Sequence, residues 1–185
     1  MGDGPRVERD FWAGRLHLER AGQRLDRGLV LTAPPGRPLK KLLRAQIAAQ
    51  VVSLPESEAI MAGFDRLTAR FERGEPFSPE PAVPAPLNGF IQGMLYNPAN
   101  HPFIRELFAA DPARLLSGTD APALILIGKK DIQVDWKEDG GALEKYAPET
   151  ASFVYPGDAD HVLKHEPRPR EELTAAAGLH YNDTG

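Results

Sequence analysis

Asp131 and His161, near the end of the chain, are residue types that together move protons in hydrolytic sites. Asp131 follows the apolar run Ala123-Leu124-Ile125-Leu126-Ile127-Gly128, and His161 follows Ala151-Ser152-Phe153-Val154-Tyr155-Pro156-Gly157. Each run reads as a strand feeding a loop, the first as a strand buried on both faces of a parallel sheet. Catalytic and ligand-binding groups of open parallel sheets gather at the carboxyl ends of strands. Neighbouring strands lie about 4.8 Å apart, so their end loops can bring a carboxylate and an imidazole within hydrogen-bonding reach. The carboxylate would then fix the ring's tautomer and stabilise the imidazolium formed when the histidine takes a proton. Asp158 and Asp160 lie nearer His161 along the chain and are rival acids. The spacing of the two loops favours Asp131.

No matching nucleophile is evident. The chain has no cysteine, and its serines are Ser53, Ser57, Ser78, Ser117 and Ser152. Ser53 reads as a helix cap, Ser117 as a turn residue before Gly118-Thr119, and Ser152 as part of a strand. His165 and Glu166 complete a His161-x-x-x-His165-Glu166 stretch that has the spacing of a helical metal pair. Pro156-Gly157 before it and Pro167 after it leave little room for a helix, so no metal is expected. No cofactor is implied.

The elements around these loops set the organisation. Trp136 to Tyr146 reads as a crossover helix weakened by Gly140-Gly141, and strand, helix and strand together form a βαβ unit with an expected right-handed crossover. Upstream, Leu29-Val30-Leu31-Thr32 reads as a further buried strand, closed by Ala33-Pro34-Pro35-Gly36. Between them lies a helical section. Leu39, Leu42, Leu43 and Ile47 share one face. Ser53 and Glu56 suit a capping box for a second helix carrying Ile60, Phe64, Leu67 and Phe71, which ends at Gly74. Pro76 to Pro86 reads as a stiff, extended connector. Phe90, Ile91, Met94 and Leu95 are the next expected buried positions, then Ile104, Leu107 and Phe108. Asp111-Pro112 then starts a short turn of helix. Residues 1–27 are poorly patterned, with at most a frayed helix from Val7 to Leu25.

Composition narrows the function classes. A chain of 185 residues suits one ordinary domain. Its 22 Lys+Arg against 26 Asp+Glu leave a net charge of -4, which argues against a nucleic-acid binder. Lys40, Lys41 and Arg44 therefore read as a solvated helix face. No apolar run approaches the roughly 18–20 residues of a membrane span, and no targeting signal is apparent, so the expected location is cytoplasmic.

The residues Pro122-Ala123-Leu124-Ile125-Leu126-Ile127-Gly128-Lys129-Lys130-Asp131-Ile132-Gln133-Val134 fit P-x-L-x-x-x-G-x-x-D-x-x-V. That stretch resembles the seventh strand and acid loop of the α/β-hydrolase superfamily. Gly157-Asp158-Ala159-Asp160-His161-Val162-Leu163 is similar to the loop carrying that family's catalytic histidine. The resemblance implies a partial α/β-hydrolase fold, class α/β, with parallel sheet strands and a helical cap insertion. It divides the chain into an N-terminal segment 1–27, core portions 28–38 and 119–167, a helical cap 39–118 and a tail 168–185.

By the same resemblance Asp131 is the triad acid and His161 the triad base. The family's serine stands on a G-x-S-x-G elbow before the strand at Leu29. Residues 1–28 hold no serine, and none of the five serines has an elbow's glycines. The oxyanion donors would be missing with it. The implied function is hydrolysis of a small apolar ester-like substrate by a Ser-His-Asp mechanism if the nucleophile region is supplied, with this chain alone inactive. The alternative is a non-catalytic binding or interaction protein. Missing early strands would leave an exposed sheet edge, through which self-association is expected.

Overall fold

The computed structural model describes residues 28–173. The helix expected over Val7–Leu25 lies outside the described residues. Along the chain run β1 (Leu29–Thr32), α1 (Leu39–Val51), α2 (Ser57–Glu72), α3 (Ala85–Leu95), α4 (His101–Ala109), α5 (Pro112–Ser117), β2 (Ala123–Leu126), α6 (Glu138–Tyr146) and β3 (Ala151–Val154), then a 3-10 turn at Arg170–Glu172. The fold class is α/β. The described chain divides into two compact units, Arg37–Asp111 and the remainder.

The second of these is the sheet unit. Its three strands are all parallel in the order β1-β2-β3, with Leu29 opposite Ala123 and Ala123 opposite Ala151. Leu29 and Leu31 of β1, Ala123 and Ile125 of β2, and Ile127 just beyond it form the core with Leu143 of α6 and Ala113 and Leu116 of α5. Residues 112–117, grouped above with the helical insertion, therefore pack with the sheet.

The expectation of a buried first strand needs correction. Leu29 and Leu31 are buried, but Val30 is 54% exposed and Thr32 is exposed as well. The alternation puts Leu29 and Leu31 on the buried face of the sheet and Val30 and Thr32 on its exposed face, so burial on both faces is replaced by a period of two. The central strand β2 alternates too, its Leu124 and Leu126 being half-buried.

The glycine pair in α6 has a packing role. A Cβ on Gly140 would stand 2.6 Å from the Tyr155 hydroxyl oxygen, so glycine lets the helix lie against that ring. Tyr155 in turn donates its O–H to Glu144 at 2.8 Å.

In the helical unit the apolar stripes are placed as their spacing predicts: Leu42, Leu43 and Ile47 of α1 and Ile60, Phe64, Leu67 and Phe71 of α2 are all buried. Phe71 meets Tyr96, His101 and Phe108 edge-on at 5.0–5.5 Å between ring centres. Three local expectations fail. No capping box forms at Ser53, because residues 52–56 are spent on turns leaving α1 and α2 starts only at Ser57. Phe90 is 54% exposed and Met94 half-buried, so Ile91 and Leu95 alone carry the buried face of α3 expected there. The proline-rich connector folds back instead of running straight. The Asn88 amide donates to the carbonyls of Glu80 and Val83 and accepts the Glu80 N–H, while Arg66 and Arg70 neutralise the buried Glu80 carboxylate.

Truncating Phe64, which is fully buried, to alanine should cost about 3–5 kcal/mol by combined transfer and cavity terms. The matching change at exposed Phe90 should stay within about 0.5 kcal/mol. Urea unfolding of the two variants beside the parent checks both values.

Candidate active site

The acid loop begins where β2 ends. After buried Ile127 the chain turns, with the Asp131 N–H donating to the Gly128 carbonyl at 3.1 Å. The Asp131 carboxylate then folds over its own turn. Its Oδ1 accepts the N–H groups of Gln133 and Val134 at 2.7 and 2.9 Å, an arrangement typical of aspartate in turns. Val134 is buried and anchors the far side of the turn. This gives a physical reason for the D-x-x-V spacing: the acid needs that third N–H, and the valine fixes it.

The histidine loop is closed on itself. Glu166 N–H donates to the Asp158 carbonyl at 2.7 Å, and Asp160 N–H to the Lys164 carbonyl at 2.9 Å, with Ala159 and His165 forming an antiparallel bridge. At the tip, Asp160 Oδ1 accepts the N–H groups of Val162 and Lys164, both at 2.9 Å. Leu163 takes a positive φ of 61° to complete the turn.

The two loops touch backbone to backbone. Lys129 N–H donates to the Pro156 carbonyl at 2.9 Å and Lys130 N–H to the Ala159 carbonyl at 3.0 Å, continuing the β2–β3 ladder past the strands. A Cβ on Gly128 would fall 2.1 Å from the Ala159 carbonyl oxygen. Only glycine admits this approach.

The structure thus brings Asp131 and His161 together. His161 Nδ1 stands 2.9 Å from Asp131 Oδ2, with Asp131 fully buried and the His161 side chain 30% exposed. With Asp131 Oδ2 as the acceptor, this contact calls for the ring proton on Nδ1. The rival acids are otherwise engaged. Asp158 Oδ2 meets His165 Nδ1 at 2.8 Å, which takes His165 away from His161, and Asp160 braces the loop tip. Among the described residues no serine hydroxyl is hydrogen-bonded to His161. Ser117 donates to the Arg114 carbonyl, and Ser152 is exposed on β3.

No protein-family model matches the chain, and no curated protein matches it. Among solved structures, a thermophilic esterase from Thermogutta terrifontis, in a malate-bound form, is similar at 21% identity and a TM-score of 0.32. The similarity covers 73% of this chain and 48% of the esterase, so the chain spans about half that protein's length.

The Asp131 hydrogen bond is the largest influence on His161 and raises its pKa above the ordinary 6.5. Partial burial opposes the rise, while the charges of Asp131 and Asp160 add to it. With Nδ1 committed to Asp131, Nε2 is the ring nitrogen left to accept a proton from a substrate or nucleophile.

Because folding raises the His161 pKa, protonated His161 favours the folded state. That contribution is complete below about pH 6.5 and is lost as the pH rises through the higher folded value. Asp131→Asn should lower the His161 pKa, because it removes the facing charge and weakens the hydrogen bond that raises it. NMR titration of the His161 ring checks the direction, and the stabilisation between these pH limits should shrink with it.

Proposed function

We propose that this chain carries the acid and base of a serine-hydrolase site of α/β-hydrolase lineage, and that it acts on an ester or similar acyl bond of a small apolar substrate once a nucleophile is supplied. The observation that supports this reading most is the 2.9 Å contact between a half-exposed His161 and a fully buried, doubly hydrogen-bonded Asp131 at the ends of adjacent parallel strands. In the completed site a serine oxygen attacks the acyl carbon as His161 Nε2 takes the serine proton. The imidazolium, held by Asp131, gives that proton to the departing alkoxide, and water repeats the cycle on the acyl-enzyme. Donors for the oxyanion would arrive with the nucleophile, since they flank it in this kind of site.

A second reading, a non-catalytic binding or interaction protein that self-associates through the sheet edge, draws on a different observation. Among the described residues β1 has a strand partner on one side only, and an unpaired edge of this kind invites strand pairing.

The 185 residues alone should hydrolyse a chromogenic short-chain ester at close to the uncatalysed rate. Saturable turnover that His161→Ala abolishes would contradict this by revealing a nucleophile within the chain. The coding DNA ahead of residue 28, read in all three frames, should contain G-x-S-x-G after a β-prone run. Its absence favours the second reading.

A further inference from the structure

Another tie to the acid loop comes from a segment with little apolar pattern. Arg170, in the 3-10 turn, donates from Nη2 to the Asp131 carbonyl at 3.1 Å and to Asp135 Oδ2 at 2.7 Å. Those acceptors are the first and last residues of the turn whose inner N–H groups hold the Asp131 carboxylate. The direction of that carboxylate therefore follows the shape of the turn.

Asp135 is itself anchored. Its Oδ1 accepts the N–H groups of Lys137 and Glu138 at the head of α6, and its own N–H donates to the buried Asp139 carboxylate at 3.0 Å. One guanidinium nitrogen so links the start of the acid turn to the helix that follows it. The pair is only partly exposed, with the Arg170 side chain 39% and the Asp135 side chain 28% accessible.

The segment bearing Arg170 is held elsewhere too. Lys130 Nζ donates to the Glu166 carbonyl. The buried Glu166 carboxylate takes the Arg168 N–H and guanidinium at 2.6–3.0 Å, which hold its pKa down to about 2.

We propose that Arg170 is a positioning residue for Asp131, closing the 131–135 turn from outside and keeping Oδ2 aimed at His161 Nδ1. The proposal rests on the reading of His161 and Asp131 as base and acid. It makes an unusual prediction of sign. The carboxylates acting on His161 are those of Asp131 and Asp160. Removing a cation near them would, by charge alone, raise the His161 pKa. Losing the position of Asp131 would lower it.

The experiment is NMR titration of His161 in the parent, Arg170→Ala, Arg170→Lys and Asp131→Asn. Arg170→Ala should fold and show at least half of the fall caused by Asp131→Asn. Arg170→Lys, whose single nitrogen can serve the same two acceptors, should recover most of the parent value. An unchanged or raised pKa in folded Arg170→Ala overturns the proposal. Loss of the fold in both Arg170 variants also overturns it, since the residue would then hold the unit as a whole. If Asp131→Asn leaves the His161 pKa unchanged, the acid–base reading fails first, and Arg170 has nothing to position.

Discussion

The close approach of two loops at Gly128 is the constraint on which the site depends. The parallel pairing of β2 and β3 does not stop at Leu126 and Val154. Ile127, Lys129 and Lys130 go on donating to Val154, Pro156 and Ala159, so the acid and histidine loops leave the sheet in register. A side chain at Gly128 would push the Ala159 carbonyl away and carry His161 with it. The separation of Asp131 and His161 is thus inherited from strand spacing.

Burying a carboxylate is expensive unless its oxygens are satisfied. Asp131 meets that condition with two backbone amides on one oxygen and the imidazole on the other. The pair is asymmetric: the acid is sealed, and the base keeps part of its ring at the surface. That asymmetry suits proton transfer, with the orienting group rigid and the transferring group reachable. It also means that deleting the imidazole would leave a buried carboxylate short of a partner.

Much of this was legible in the sequence, for physical reasons. Short apolar runs closed by Gly and Pro marked all three strands, and helical spacing marked the buried faces of α1 and α2. Asp131 and His161 could be paired because strand-end loops are local and strand spacing is nearly constant. What escaped depended on neighbours that composition does not reveal. Val30 looks like a core residue and is exposed because it points to the opposite face of the sheet from buried Leu29 and Leu31. Phe90 has the same apolar character as Ile91 but faces outward from α3. Ser53 has cap chemistry but sits inside the turns leaving α1. Arg170 was unreadable because its acceptors lie 39 and 35 residues away, one of them a carbonyl with no sequence signature.

The central claim is that Asp131 fixes His161 with its proton on Nδ1, leaving Nε2 as the base. Nitrogen-15 NMR of the neutral ring, recorded above its titration, reads the tautomer directly. The Nδ1–H form should dominate in the parent and give way when Asp131 becomes asparagine. A ring that is mainly Nε2–H in the parent would contradict the account.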